Sequence, residues 1–435
     1  MSDTIANREQ SRPEQSGISP AMTAYMLGIL ALVSFFNYAD RMILSVIAEP
    51  LKHELGLSDA NLGLLSGLIF ALVYAATGIP IARLADRTVR VRILGLCVAT
   101  WSVATAMMGF AGSFLSLSVA RMGVAIGEAG CIPISHSLIG HHMSPRRRAL
   151  GISVFQAGGI AGLSAGLMIA AYLTGHFGWR TTLLVFGLCG LPLAILVFFT
   201  LPEPAPRGVQ SETGEPWHTV FMALMKRAPF RHIVAANTLG AFASYSLKLW
   251  MIPYFMRSHH LSVAEAGVWM GAASAAGGIF GVLLGGGLSV RLIQKDARWE
   301  MWLPMITSIA AAPLYGLVLL SPNVPTALSM QVFASLAAGG ASGVALSSIQ
   351  SFCEPHRRAM GIAIMVFAIA IIGNGLGPFI SGAISDIITP RFGEDALRWA
   401  LLVPCSAFLA AAVMYFLAAR SASSPGAGLS TPNDS

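Results

Sequence analysis

The chain has 435 residues, 55% of them hydrophobic and only 11% charged, with 45 glycines and a formal net charge of +7. No water-soluble core of this size needs so much apolar material, so the composition excludes an ordinary soluble domain and points to the bilayer. The basic residues are spread over many short loops, which argues against a nucleic-acid partner.

Residues 1–21 are polar, without the apolar core of a secretory signal, and are expected to form a disordered arm. Twelve apolar runs follow, each long enough to carry a helix across about 30 Å of hydrocarbon. Six lie near 22–48, 60–85, 93–113, 115–140, 149–173 and 180–201. Six more lie near 232–256, 264–291, 301–320, 325–352, 359–386 and 396–419. They lack the strict alternation of barrel strands, so they are read as helices, numbered span one to span twelve. The polar stretch 202–231 is a linker between a first six-helix bundle (22–201) and a second (232–420), and residues 421–435 are expected to be a disordered tail. An even number of spans puts both termini on one side. Only Lys52, Arg180, Arg257, Arg391 and Arg398 fall on the opposite side, so the positive-inside rule makes the arm, linker and tail cytoplasmic.

The two sets of spans are a duplication. LSDANLGLLSG (57–67) recurs as LSVAEAGVWMG (261–271), and PRRRALGI (145–152) as PHRRAMGI (355–362), at displacements of 204 and 210 residues. Two six-helix halves in parallel repeat resemble the major facilitator superfamily, an all-α membrane fold that works by alternating access around a site between the halves. ARLADRTVRVR (82–92) resembles that superfamily's signature loop between spans two and three. The resemblance implies a cytoplasmic gate at Asp86, Arg87 and Arg90, with Asp86 facing the start of span eleven.

Four charges lie well inside apolar runs: Asp40 and Arg41 on span one, Arg121 and Glu128 on span four. Each costs about 2.5–3.5 kcal/mol on insertion scales, so each needs a reason. Lys248, nearer the end of span seven, is expected to snorkel to the surface. Carried across the repeat, the four charges fall on Ser244, Tyr245, Gln331 and Ala338. The second half builds the equivalent helices without them, which favours function over scaffolding. Arg121 and Glu128, seven residues apart, share a helix face, and Asp40 can pair with either Arg41 beside it or Arg121 across a central cavity.

NYADR (37–41), RMGVAIGEAG (121–130) and PEPAPRG (202–208) resemble the spinster family of that superfamily. The resemblance implies proton-coupled transport of an amphiphilic anionic lipid, such as a lysophospholipid or a sphingoid phosphate. Guanidinium forks suit a phosphate headgroup, which assigns Arg41 and Arg121 to the substrate and leaves Asp40 and Glu128 as proton carriers. Phe36, Tyr38, Asn237 and Asn374 are candidate lining residues, with Met and Phe side chains of spans seven and ten opposite. The competing expectations are a transporter of a small organic anion such as a sugar acid and, in another class, a passive lipid scramblase or a receptor.

The glycines at 158, 162 and 166, four apart, allow close helix contact. GLSAG there matches the hydrolase nucleophile elbow, but lies mid-helix and lacks the strand and strained turn that chemistry needs, so no enzyme is expected. Five scattered cysteines (Cys97, Cys131, Cys189, Cys353, Cys405) show no metal-ligand spacing, and no cofactor is expected. The partners expected are the substrate, protons and membrane lipids, with the chain acting as a monomer in a bacterial inner membrane.

Overall fold

The computed structural model describes residues 19–203, 216–340, 344, 348–349, 352–354 and 357–422. The expected arm, the middle of the linker, the tail and part of the entry into span eleven lie outside the described residues. Those described are helical nearly throughout, with no strand among them.

Eight helical stretches are long and apolar enough to cross a membrane. Two of them hold two rods each. Pro145–Thr200 turns back at Gly178, whose φ of 81° lies where a side chain is disfavoured, and Met360–Ser421 breaks at Gly393–Asp395. With Ala228–His259 (span seven) and Val324–Gly340 (in span ten) the described residues make twelve spans. Span one, Pro20–Leu55, outruns its apolar core because both ends are capped. The Ser19 hydroxyl accepts the Met22 N–H, and Gly56 closes the other end at φ 62°. The linker is not wholly irregular: Trp217–Lys226 is a helix that buries Val220 and Leu224 against Phe230 and Ile233 of the second bundle.

Lipid gives helices no hydrophobic reason to associate, so small residues that let backbones approach must do it. Gly158, Gly162 and Gly166 of span five lie against Ala31, Phe35 and Ala39 of span one, a four-residue rhythm on both helices. Gly277, Gly281 and Gly285 of span eight meet Val332, Leu336 and Gly340 of span ten in the same way. Within the first bundle, span three packs on four and six; within the second, span twelve packs on seven and nine.

The bundles meet where span one crosses seven, two crosses eleven, and five crosses eight. These seams lie toward the end of the molecule remote from the termini. Gly63 and Gly67 of span two abut Pro378 and Gly375 of span eleven, while Gly267 and Gly271 of span eight abut Ala171 and Met168 of span five. A β-carbon at any of them would collide with its neighbour. Spans two, five and eleven each contain a widened π-type turn, at Leu64–Ile69, Gly162–Gly166 and Ile369–Leu376. Such turns sit mostly where a helix serves a site, and here they flank the space between the bundles.

Candidate functional site

The four buried charges form two crossed pairs between spans one and four. Arg41 Nε donates to Glu128 Oε2 at 2.7 Å, and Arg121 Nη1 donates to Asp40 Oδ2 at 3.4 Å. Adjacent residues on a helix point about 100° apart, so Asp40 and Arg41 reach different levels of span four rather than each other. Asp40 therefore takes Arg121, with Thr105 of span three donating its hydroxyl to Oδ1 at 2.7 Å. Three of the four are buried, Glu128 at 0%, Arg121 at 2% and Asp40 at 6% exposure, and the Arg41 side chain is 15% exposed. The glycines of RMGVAIGEAG make this possible, since Gly123 and Gly127 bring span four onto Ala104 and Trp101 of span three, beside Thr105.

Aromatic rings complete the surroundings. The Arg41 guanidinium lies 5.2 Å from the Tyr74 ring centre, 5.3 Å from Phe70 and 5.4 Å from Tyr38, and that of Arg121 lies 4.5 Å over Phe70. Ring faces attract cations and hold them without competing for their N–H groups. Arg41 Nη2, Arg121 Nε and Glu128 Oε1 remain buried without a hydrogen-bond partner. A buried polar group in that state marks a place where a ligand or proton can be received.

Arg41 and Arg121 line the space between the bundles, which holds two adjoining pockets, here called lobes. One, about 200 Å³, is lined by Arg41, Arg121, Tyr74, Tyr245 and Asn374. The other, about 410 Å³, is lined by Leu247, Met251, Ile252 and Met270 together with Ser164, Ser244, Ser274, Gln331 and Ser335. Met42 and Lys248 line both.

Some expectations need correcting. Lys248 does not snorkel: it lies eleven residues from the end of its helix at His259, about 16 Å at 1.5 Å per residue, and opens into the cavity. Asn237 serves the contact of spans seven and twelve, donating Nδ2 to the Ile233 carbonyl at 2.9 Å and accepting from the Tyr415 hydroxyl at 3.2 Å. Phe36 packs edge-on to Phe35 inside the first bundle, and Tyr38 touches the cavity only through Arg41. Asn374 does line the charged lobe, with Oδ1 unpartnered. Span ten supplies Gln331, Ser335, Ala338 and Gly339 instead of apolar bulk, and its Phe333 points outward.

A second charged cluster, unread in the sequence, closes the far end. Arg257 of span seven grips Asp59 at the start of span two with two bonds of 2.7 Å and reaches Glu49 of span one at 2.8 Å. Lys52 donates to Asp59 at 2.6 Å, and Ser385 of span eleven at 2.7 Å. Asp386 of span eleven accepts the N–H groups of Asp59 and Ala60, at 3.0 and 2.7 Å, so one bundle caps a helix of the other. The signal was available: Glu49, Lys52, Asp59 and Arg257 crowd the ends of three spans on a side with few charges.

At the terminus end the geometry is looser. Asp86 pairs with Arg90 at 3.4 Å and stays largely exposed, Arg87 is exposed, and among the described residues none of the three bonds to span eleven. Glu203 of PEPAPRG instead caps span three, accepting the N–H groups of Arg90 and Val91 at 2.9 and 2.8 Å.

The family model described as Major Facilitator Superfamily matches residues 30–299 and 233–433. A Mycolicibacterium smegmatis protein named MFS-type efflux pump is 34% identical over 400 residues, 90% of this chain and 91% of its own. Protein spinster homolog 1 of Xenopus laevis is 25% identical over 394 residues, 86% of this chain and 75% of its own. Among solved structures, a bacterial homolog to the human lysosomal transporter Spinster, inward-facing and unoccupied, matches with a TM-score of 0.83 at 30% identity. The match covers 93% of this chain and 98% of that one.

Proposed function

Since the chain belongs to the Major Facilitator Superfamily and is a spinster-like transporter within it, we propose that it carries an amphiphilic anion by alternating access coupled to protons. A lysophospholipid or a sphingoid phosphate has the required form. The observation that carries this reading is the two-lobed cavity, with guanidinium groups at one end and about 410 Å³ of mostly apolar wall at the other. The headgroup engages Arg41 and Arg121, and the alkyl tail occupies the apolar lobe, whose methionines adapt to a flexible chain.

Coupling follows from competition for the same guanidinium groups. When an anion takes Arg121, Asp40, buried among spans one, three and four, loses its counter-charge and a proton replaces it; Glu128 stands in the same relation to Arg41. The groups titrate as one set, so the proton belongs to the cluster. The far-end cluster around Asp59 and Arg257 seals one side in the present state. Asp86, Arg87 and Arg90 form the opposing gate when the bundles rock the other way. The excess of Lys and Arg on the terminus side supports cytoplasmic termini, and the reading takes the protein as a monomer in a bacterial inner membrane.

A small organic anion such as a sugar acid would fill only the charged lobe. Uptake into proteoliposomes under an inward proton gradient, with dodecyl phosphate and glucarate as alternative substrates, separates the two readings. Accumulation of dodecyl phosphate supports the proposal; accumulation of glucarate alone overturns it.

A further inference from the structure

We propose that Lys248 is the anchor that receives the substrate's anionic group first, at the junction of the two lobes, before either arginine is released from its carboxylate. The proposal rests on the amphiphilic-anion reading and adds a cation from the second bundle to charges otherwise supplied by the first.

Three observations carry it. Lys248 lines both lobes, the place where the head of an amphiphile must lie if its tail fills the apolar one. Among the described residues no carboxylate pairs with its ammonium, which lies 5.1 Å from the Tyr245 ring centre. Arg41 and Arg121, in contrast, are each held by a carboxylate. An anion must displace Glu128 or Asp40 to gain an arginine fully, whereas at Lys248 it displaces nothing. Arg41 and Arg121 line the smaller of these lobes and supply further donors once the anion has arrived.

The backbone fixes where the Lys248 side chain starts. Pro253 has no N–H for the Leu249 carbonyl four residues back, and the Ser45 hydroxyl fills that vacancy at 2.8 Å while also reaching the Lys248 carbonyl at 3.0 Å. This turn of span seven is thereby pinned to span one. Across the repeat, at the displacement of 204, Lys248 corresponds to Leu44, a buried apolar residue, so the equivalent helix does not need a cation there.

Charge balance sharpens the substrate class. Arg41, Arg121 and Lys248 against Asp40 and Glu128 leave one net positive charge at the cavity, which a monoanion neutralises. A dianionic phosphate leaves one negative charge over, and protonation of one carboxyl removes it. The anchor thus ties one proton to each dianion carried.

The test uses the full chain in nanodiscs. Acetic anhydride labelling read by mass spectrometry should show Lys248 protected by dodecyl phosphate and not by 1-dodecanol. Lys248→Met should lose at least about tenfold in dodecyl phosphate affinity, while Lys248→Arg keeps it within about threefold. If the wild type binds dodecyl phosphate but Lys248 stays fully reactive and Lys248→Met binds equally well, the anchor is overturned and the amphiphilic-anion reading stands. If the wild type does not bind dodecyl phosphate at all, that reading falls and the anchor with it. Protection is measured on the wild type, so a variant that folds poorly leaves the test decisive.

Discussion

Spans four and ten hold equivalent places in the two halves but carry opposite chemistry at corresponding residues. Arg121, 2% exposed, is balanced by Asp40 across the bundle, whereas Gln331, 3% exposed, donates to Ser335 at 2.9 Å and Ser274 at 3.4 Å. Span four packs through its own glycines and span ten against those of span eight, and both face the cavity. The scaffold therefore accepts a neutral amide where the first half places a cation. A buried ion pair is a weak source of stability, since desolvation offsets most of its attraction, so the first half's charges need another explanation.

The most direct way to break this comparison is to make the first half resemble the second. Arg121→Gln alone strands Asp40 and should destabilise by about 3–5 kcal/mol, read as a lowered Tm in nanodiscs. Adding Asp40→Asn should recover most of that loss while transport stays abolished. Recovery of both stability and transport would return the pair to a structural role.

The seams between the bundles offer a second contrast. Span eight begins with a self-contained capping box, Ser262 with Glu265, but span two borrows Asp386 from the opposite bundle and adds the ion cluster around Asp59. Arg257→Gln removes contacts made only while that end is shut. Labelling of Ser66→Cys in a cysteine-free background, by an impermeant maleimide applied from the far side, should rise about tenfold, a shift of about 1.4 kcal/mol. Unchanged labelling would mean that the glycine seams hold this end closed without the cluster.

The smallest effect is expected at the second half's own polar group. Gln331→Leu removes two hydrogen bonds but strands no charge, so it should cost about 1 kcal/mol and slow uptake only severalfold. A loss as large as that of Arg121→Gln would erase the distinction between the halves.

The fold was legible because its signals are long and repeated: apolar runs, a mid-chain polar break, and the LSDANLG/LSVAEAG pair. The same pair hid a difference: Ser58 and Ser262 both cap their helices, but Glu265 closes the box in one copy, while in the other Asp386 of span eleven takes the N–H groups of Asp59 and Ala60. In the site, Asp40, Arg41, Arg121 and Glu128 stood out because charge is rare in an apolar run. Their crossed pairing did not, because it depends on the rotation and height of two helices 81 residues or more apart in sequence. Glu49, Asp59 and Arg257 passed as ordinary end-of-span charges. Lys248 was misread because its helix runs to His259, beyond the end of its apolar run, which makes the residue deeper than hydropathy suggests. Asn237 shows the converse, a polar residue within a span whose bonds go to its own helix at Ile233 and to Tyr415 of span twelve.

The central claim is that the crossed pairs couple protons to an anion. Its most direct test is uptake of dodecyl phosphate by proteoliposomes under an imposed pH gradient, comparing the wild type with Asp40→Asn and Glu128→Gln, each verified as folded. The account predicts that the wild type accumulates substrate with the gradient, and that both variants lose this response while still exchanging or binding the anion. Gradient-driven accumulation undiminished in both variants would contradict it.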